Sequence, residues 1–366
     1  MQCTSTVLLR LPVCVRSRRC YILIILIVFY LLINFVKQRN VEEKPELADK
    51  IEFLTIDPNT QYINKNDVPG DLLWNKQLYD KWISNSILIR KQHDKLSSSN
   101  RTTIFDISVM VVTGEVHHRE RCDIIMSTWG SQQIPYGNLH FISDSNDNLL
   151  PVLQVMNQPA DYWKSQRKWI LGKQSMLKIF EMGFKQNIKW YMIVDDDGYI
   201  VVNNTLALVN QYSHDQRWLL ACVACPHPYY HGSSPYFIRI CGGGGYLISS
   251  EMAKYILPIL PKCFNYTSSK WDNSDMEYFD VMLSICLIEL LNVTLTDRNE
   301  FKTVSPLTQI KTNNNNTIKF SFNRESLNNP VTFHYVKPWQ AQLIIWKLYH
   351  GIETNLTVKE NSNWLT

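Results

Sequence analysis

Three consecutive aspartates follow an apolar run in the segment KWYMIVDDDGYIVV, residues 189–202. Adjacent carboxylates repel one another, and either a shared proton or a bound cation relieves that repulsion. Oxygen ligands without cysteine suit a hard or borderline cation such as Mg²⁺ or Mn²⁺, which keeps open positions for phosphate oxygens. Acidic residues also commonly end strands and begin turns. Asp195, Asp196 and Asp197 therefore form either a metal site or an acidic turn, and their surroundings must decide.

The elements around these aspartates indicate an α/β fold. Apolar runs at 105–114, 138–144 and 189–197 predict strands, and the segments 119–130 and 162–184 have the pattern of helices. An alternation of strand and helix favours a mostly parallel sheet with right-handed crossovers. Ligands of such sheets bind beyond the carboxyl ends of the strands, which is where the aspartates fall.

The N-terminal segment YILIILIVFYLLINFV, residues 21–36, is long and apolar and has basic residues ahead of it. This pattern predicts a transmembrane signal-anchor with a cytosolic tail at 1–20 and a lumenal body. A cleaved signal peptide is the alternative, but no small-x-small cleavage site follows the run. We interpret 37–104 as a lumenal stem that contains one amphipathic helix, 105–351 as the globular domain and 352–366 as a C-terminal tail.

Composition and modification signals agree with a folded lumenal protein. The 366 residues are 45% hydrophobic, enough for a large core, and a net charge of +4 gives no nucleic-acid footprint. All N-x-S/T sequons follow the apolar run; they begin at Asn100, Asn203, Asn265, Asn292, Asn315 and Asn355. An even set of cysteines beyond the run predicts disulfides; these are Cys122, Cys222, Cys225, Cys241, Cys263 and Cys286. A zinc site at the Cys222 and Cys225 pair is the alternative, but no second ligand pair supports it.

Seven segments, taken in order, resemble the inverting β1,3-glycosyltransferases that include Fringe and the core 1 β1,3-galactosyltransferases, a group similar to glycosyltransferase family 31. They are HHRERCDIIMSTWG, LHFISD, YWKSQRK, WYMIVDDDGYIVVNN, CGGGGYLISSEMA, FDVMLSICL and VTFHYVKPWQAQLIIWKLYH, and they span about residues 105–351. The resemblance implies a GT-A type nucleotide-sugar-binding fold with a mostly parallel central sheet, preceded by a single N-terminal transmembrane helix. It also implies a UDP-sugar donor, Mn²⁺ with Mg²⁺ as the second candidate, and residence in the Golgi or ER membrane.

The resemblance implies a metal site built from two parts of the chain. Asp197 corresponds to the metal-ligating end of the family's D-x-D motif, and His334 in TFHYV corresponds to the second protein ligand. Asp195 and Asp196 are placed toward the ribose and diphosphate of the donor, with Asp195 also in the metal set. Without the resemblance, a lone histidine between two aromatic residues is more typical of a core.

The segment FDVMLSICL resembles the acidic element that supplies the family's catalytic base. The match makes Asp280 the residue that takes the proton of the acceptor hydroxyl. Phe279 and Ser284 replace an acidic residue and a glycine of the family pattern, so Asp275 is kept as the fallback. Taken alone, Asp280 could equally be an acid that stabilises a helix N-terminus.

Further matches imply residues on the donor side. Four consecutive glycines let the backbone approach a bulky ligand, although a flexible turn is the alternative. Arginine can pair with phosphate through two hydrogen bonds, and an aspartate at a strand end can accept from a ring or ribose donor. The residues matched in this way are Arg119, Arg121, Asp144, Gly243 and Gly244.

Together these features predict a type II membrane β1,3-glycosyltransferase that depends on Mn²⁺ and inverts at the anomeric carbon. It would transfer a hexose, with galactose slightly favoured, from a UDP-sugar to a hydroxyl of a glycoprotein or glycan. Two alternatives come from other classes: a catalytically silent lumenal relative that acts as a chaperone or glycan-binding protein, and a metal-dependent phosphodiesterase. The phosphodiesterase needs a second metal-binding cluster, which the sequence does not offer. Self-association is left open, and no nucleic-acid partner is expected.

Overall fold

A computed structural model describes residues 52–54, 74–96, 101–155, 174, 176–178, 180–185, 187–223, 240–270, 280, 283–284, 286–311, 317–322, 329–337, 340–350 and 358–359. The predicted cytosolic tail at 1–20 and signal-anchor at 21–36 lie outside these residues, and so do Cys225 and Asp275. Of the predicted C-terminal tail, only residues 358–359 are described. Within the described ranges, no helix combines the length and the hydropathy that a membrane crossing requires.

Strands and helices alternate along much of the described chain. The strands are β1 (Glu52–Leu54), β2 (Ile107–Val112), β3 (Leu139–Ser143), β4 (Val152–Gln154), β5 (Trp190–Asp195), β6 (Tyr199–Ile200), β7 (Leu219–Ala221), β8 (Tyr246–Ser249), β9 (Thr296–Asp297), β10 (Phe301–Lys302), β11 (Leu307–Lys311), β12 (Thr317–Phe322), β13 (Thr332–Phe333) and β14 (Val358–Lys359). The longer helices are α1 (Lys76–Leu96), α2 (Val202–Val209), α3 (Ser250–Ile256), α4 (Leu260–Lys270) and α5 (Gln340–Tyr349). The described part of the helix predicted at 162–184 is helical.

The central sheet has the strand order β4-β3-β2-β5-β8-β7-β9. Strands β4, β3, β2 and β5 run parallel to one another, and β9 runs parallel to β7. Strand β8 is antiparallel to both of its neighbours. The prediction of a mixed α/β fold with a mostly parallel sheet is therefore confirmed. Strand β5 pairs with β2 from Trp190 to Asp195, so the three aspartates begin at the carboxyl edge of the sheet.

Apolar residues cover both faces of the sheet. Along β5, Trp190, Met192 and Val194 belong to one buried cluster, whereas Tyr191 and Ile193 belong to another. Successive side chains of a strand point to opposite faces, so two cores bury the whole strand. This double burial explains why β5 is a continuous apolar run and not an alternating one.

The described residues also form two smaller sheets. Strand β13 pairs antiparallel with β6 and parallel with β10. The register joins Thr332 to Ile200 and Phe333 to Tyr199, and the backbone N–H of Val336 donates to the carbonyl oxygen of Asp197 at 2.9 Å. Because β6 begins two residues after Asp197, this pairing brings the segment that follows β13 beside the aspartates. The other sheet is antiparallel and contains β1, β11, β12 and β14.

The helix predicted at 119–130 is irregular. The chain passes through short 3₁₀, π and α turns, which are Glu115–His117, His118–Cys122, Asp123–Ile125, Met126–Gly130 and Ser131–Gln133. Thr128 has non-helical backbone angles, and its hydroxyl donates to the carbonyl oxygen of Ile124 at 2.7 Å. Side-chain bonds of this kind compete with the regular helical ladder and bend the helix. The segment predicted as a helix is therefore helical, but it is built from short turns and bent at Thr128.

Helix α1 lies within the region predicted as a stem and packs onto the body. Trp74 and Trp82 are buried in the same cluster as residues of β2 and β5. The indole N–H of Trp82 donates to the carbonyl oxygen of Ile134 at 2.9 Å, and that of Trp74 to Leu149 at 2.6 Å. The amphipathic helix expected within 37–104 thus spans Lys76–Leu96 and shares the core of the body. The boundary of the stem at residue 104 stays a prediction.

Replacing Trp82 by alanine is expected to lower the free energy of unfolding by about 3 kcal/mol, because a buried indole and its hydrogen bond are lost. Denaturant titration measures this change. Ile87→Ala on the same helix is the control, since Ile87 is 49% exposed and its truncation should change the free energy by less than about 0.5 kcal/mol. Equal effects of the two variants would show that α1 is not docked through Trp82.

The cysteines only partly follow the predicted pairing. Cys263 and Cys286 form a disulfide, and Cys241 is also disulfide-bonded. Cys122 and Cys222 carry free thiols, so the prediction that the whole set is paired was wrong for these two residues. Cys122 is fully buried, and its thiol donates to the hydroxyl of Thr113 at 3.3 Å, so it packs as a small core residue.

Candidate metal centre and active site

The end of β5, the turn that follows it and the loop after β13 bring Asp195, Asp197 and His334 together. One ligand atom from each residue lies within 4.8 Å of the other two. Nε2 of His334 is 3.3 Å from Oδ1 of Asp197, and Asp197 is only 5% exposed. The structure thus brings together the three residues that were predicted as metal ligands. His334 lies more than 130 residues after the two aspartates in the sequence.

The chemistry of this donor set fits a divalent cation. Burial raises the pKa of Asp197, but the hydrogen bond and charge of His334 and the charge of Lys337 outweigh burial and hold that pKa below its usual range. The carboxylate is therefore ionised, as a ligand must be, whereas His334 would bind a metal only as the neutral imidazole. Mg²⁺ is bound mainly through oxygen, whereas an imidazole nitrogen beside two carboxylates shifts the preference toward a borderline ion such as Mn²⁺.

Gly243 leaves room for the imidazole of His334. A Cβ atom added at Gly243 would overlap the ring, with Cε1 as the nearest atom. The ring also stacks on Tyr335, with centroids 3.7 Å apart, and Tyr335 has a left-handed backbone with φ of 53°. The glycine segment therefore fixes the position of one candidate metal ligand. Direct donor contact by Gly243 and Gly244 is not tested by this geometry and stays a prediction.

The preceding glycine holds the candidate base. The backbone N–H of Gly242 donates to Oδ2 of Asp280 at 2.9 Å, and a Cβ atom at Gly242 would overlap the Asp280 side chain. Ser284 donates its hydroxyl to the carbonyl oxygen of Asp280 at 2.6 Å and accepts from the backbone N–H of Ile240 at 2.9 Å. Ser284 therefore anchors the backbone at Asp280. Because consecutive glycines contact Asp280 and His334, the candidate base lies beside the candidate metal centre.

Tyr246 on β8 lies within electrostatic reach of both parts of the site. Burial raises the pKa of Tyr246 well above its usual value, and the charges of Asp280 and Asp195 raise it further. The phenol is therefore neutral. Its hydroxyl is buried and has no hydrogen-bond partner among the described residues.

Asp196 faces the interior of the protein. Its Oδ1 accepts from the guanidinium of Arg121 at 2.6 Å, and its Oδ2 accepts from the hydroxyl of Thr113 at 2.8 Å. The side-chain amide of Gln342 also donates to the carbonyl oxygen of Asp196 at 3.4 Å. The structure thus brings Asp196 and Arg121 together, but this ion pair faces the protein interior and fixes the loop that follows β5. Their predicted contact with a donor is left untested.

Asp144 is held at the carboxyl end of β3, on the same edge of the sheet as the aspartate loop. Its Oδ1 accepts from the backbone N–H of Glu115 and from the hydroxyl of Ser143, both at 2.9 Å. Nε2 of His118 lies 2.8 Å from the same hydroxyl. Burial and the charge of Arg119 lower the pKa of His118, so this histidine is neutral. The network fixes Asp144, whose contact with the donor stays an expectation.

Arg119 lies at the periphery of this network. Its guanidinium pairs with Asp123 at 3.0 Å and also with Asp147, and its side chain is exposed on one side. Both partners are acidic residues of the protein. A phosphate contact by Arg119 therefore requires exchange of at least one of these pairs and stays a prediction.

Contributors to the site that were not identified in the sequence include Thr113, Gly242 and Lys337. Nζ of Lys337 lies 2.7 Å from Oδ2 of Asp197. Gly242 could have been found, because it belongs to the CGGGG segment already singled out. Thr113 and Lys337 follow the ends of β2 and β13, where no periodic pattern indicates the direction of a side chain.

Two alanine variants are expected to separate metal binding from proton transfer. Gly243→Ala should displace His334 and weaken Mn²⁺ binding by about tenfold or more, the usual cost of disturbing residues that orient a ligand. Gly242→Ala should displace Asp280 and lower kcat, while Mn²⁺ affinity changes by less than about twofold, since the three atoms nearest to its Cβ all belong to Asp280. Each variant is the control for the other in Mn²⁺ titrations and transfer kinetics. If both variants changed Mn²⁺ affinity and kcat in the same way, the separation of metal binding from proton transfer would be contradicted.

A model of the Fringe-like protein family matches residues 102–349. The fold and this match define a glycosyltransferase, an enzyme that uses a nucleotide-sugar donor and a glycan or glycoprotein acceptor. The chain belongs to the Fringe-like family. Its mixed α/β architecture with a large, mostly parallel sheet fits the GT-A type.

One similar solved structure is the crystal structure of a glycosyltransferase involved in the glycosylation of the major capsid of PBCV-1. It shares 10% sequence identity with a TM-score of 0.34, and the match covers 64% of this chain and 98% of that chain. This similarity is too low to support an inference about function.

Proposed function

We propose that this glycosyltransferase is Mn²⁺-dependent and transfers a hexose from a UDP-sugar in a β1,3 linkage, with inversion at the anomeric carbon. The observation that carries the proposal is the convergence of Asp195, Asp197 and His334, whose ligand atoms lie within 4.8 Å of one another. Two carboxylates and one imidazole leave open coordination positions on a divalent ion, where diphosphate oxygens bind.

The residues of the site divide the chemistry into two tasks. A divalent ion held by Asp197, His334 and Asp195 would neutralise the charge that develops on the departing nucleoside diphosphate. Asp280 accepts the proton of the acceptor hydroxyl as that oxygen attacks the anomeric carbon. The N–H of Gly242 holds Oδ2 of Asp280 in a fixed direction, at 2.9 Å. An inverting transfer needs a general base and forms no covalent intermediate, and Asp280 can serve as that base.

Galactose is the favoured hexose, because TFHYV and DVMLSICL resemble the core 1 galactosyltransferases more than Fringe. N-acetylglucosamine and glucose are the other candidates. A phosphodiesterase commonly uses two metal ions, whereas the described residues contain a single group of potential ligands, the three named above.

We also propose a type II topology in the Golgi or ER membrane, with residues 21–36 as the anchor and the catalytic body in the lumen. The Cys263–Cys286 disulfide supports an oxidising compartment. Asn203, Asn265 and Asn292 begin sequons and are exposed, so they are accessible to glycosylation in the lumen. Loss of apparent mass of the full chain on N-glycosidase treatment is the expected result, and an unchanged mass would argue against the lumenal placement.

A donor panel tests the proposed activity. The full chain is incubated with Mn²⁺ and UDP-galactose, UDP-glucose or UDP-N-acetylglucosamine, and the release of UDP is measured with and without glycan acceptors. We expect UDP release that EDTA abolishes, with UDP-galactose the best donor. No release of UDP from any donor, or release that persists in EDTA, would contradict the proposal.

A further inference from the structure

The ammonium group of Lys337 occupies one side of the Asp197 carboxylate. Its Nζ lies 2.7 Å from Oδ2, whereas Nε2 of His334 lies 3.3 Å from Oδ1. The side chain of Asp197 is buried, and that of Lys337 is 47% exposed. The pair therefore joins a buried anion to a cation that solvent reaches.

Backbone hydrogen bonds hold the segment after β13 beside the aspartates, because β13 pairs with β6 and the N–H of Val336 donates to the carbonyl oxygen of Asp197 at 2.9 Å. Beside the contact with His334, the Lys337 side chain supplies positive charge that a buried carboxylate requires. A divalent ion between Asp195, Asp197 and His334 would supply positive charge as well. The Lys337 ammonium group and the divalent ion would then neutralise the same carboxylate, that of Asp197.

We propose that Lys337 is an internal counter-ion that competes with the divalent ion for Asp197 and pairs with the donor diphosphate once both have bound. The proposal rests on the function assigned to the site above. Two cations beside one carboxylate repel each other, so the bound ion displaces the ammonium group. The flexible stem of lysine then lets the ammonium group reach the anionic oxygens of a nucleoside diphosphate. Lys337 thereby makes the binding of metal and donor cooperative.

The test is an Mn²⁺ titration of the full chain by electron paramagnetic resonance, with and without UDP, for the wild type and Lys337→Met. Methionine keeps an apolar stem of similar length and removes the charge. Without UDP we expect Lys337→Met to bind Mn²⁺ about tenfold more tightly, because the competing charge is gone. UDP should strengthen Mn²⁺ binding by the wild type about tenfold more than by Lys337→Met.

Two further variants are controls. Lys337→Arg keeps the charge and should follow the wild type in both titrations. Lys254→Met removes a lysine of similar length from an exposed pair with Glu251, where the Lys254 side chain is 59% exposed, and should also follow the wild type.

Equal Mn²⁺ affinities of the wild type and Lys337→Met without UDP would overturn the proposal, and so would an equal effect of UDP on both. Either outcome leaves the proposed function intact, provided that the wild type binds Mn²⁺ and Asp197→Asn does not. Absence of Mn²⁺ binding by the wild type would overturn the proposed function and the role of Lys337 with it.

Discussion

The Asp197→Asn variant is expected to lose at least about 10³-fold in kcat/KM for transfer, because the stabilisation that a bound ion gives to a leaving diphosphate is worth several kcal/mol. Asparagine has nearly the shape of aspartate but lacks the charge that binds a divalent ion. The same change removes the ion pair with Lys337 and the contact with His334. Transfer kinetics and Mn²⁺ titration of the same preparation measure both losses.

Asp80→Asn is the matched control for this variant. Asp80 lies on α1 in an exposed pair with Lys76, at 2.7 Å, and has no contact with the site. We expect its activity to stay within about twofold of the wild type, as for surface substitutions in general. An Asp197→Asn enzyme that keeps wild-type activity in the presence of Mn²⁺ would show that Asp197 is not a metal ligand in the reaction.

Asp280→Asn is expected to lower kcat by about 10²- to 10⁴-fold, the usual contribution of a positioned general base. Asparagine can still accept the hydrogen bond from the N–H of Gly242, but it cannot take the proton of the acceptor hydroxyl. Binding of Mn²⁺ and UDP should change by less than about twofold, because Asp280 is not in the metal set. Acceptor transfer kinetics and Mn²⁺ titration with UDP measure the two effects.

Asp280→Asn should lower kcat and leave Mn²⁺ binding nearly unchanged, whereas Asp197→Asn should weaken both. This difference distinguishes a base from a metal ligand. Asp215→Asn is the control for the former, since Asp215 is exposed and paired with the Ser213 hydroxyl away from the site. If Asp280→Asn kept the wild-type kcat, the base would have to be another carboxylate, and Asp275 would be the next residue to test.

The buried strands of the body were predictable from their composition. Strands β2, β3 and β5 are largely apolar because a core covers each face of the sheet, and that pattern is visible in the sequence. The position of the aspartates at the carboxyl edge followed from the same argument. His334 was different, because its distance along the chain from the aspartates hides their contact. Only the resemblance to a family placed it in the metal set.

The division of roles within the three aspartates depends on the turn that follows β5. Strand β5 ends at Asp195, and Asp196 and Asp197 lie in the turn, so the strand period does not set the direction of their side chains. Asp195 and Asp197 converge with His334, whereas Asp196 is turned toward Thr113 and Arg121. The partners themselves were not predictable, because they depend on how the irregular helix after β2 folds back over the sheet edge.

Other features lay beyond sequence reasoning for physical reasons. Cys122 and Cys222 look like members of a disulfide set, but pairing depends on the distance and direction of side chains in space. Lys337 lies three residues after His334, and its direction depends on the left-handed backbone at Tyr335. Neither a periodic pattern nor composition carries that information.

The most direct test of the metal centre is a crystal structure of the full chain with Mn²⁺ and UDP, with the ion located by its anomalous scattering. We predict one Mn²⁺ ion in contact with Asp197, Asp195 and Nε2 of His334, with diphosphate oxygens in its open positions. An ion bound elsewhere, or a bound UDP and Mn²⁺ that leave His334 without contact to the ion, would contradict the assignment of this centre.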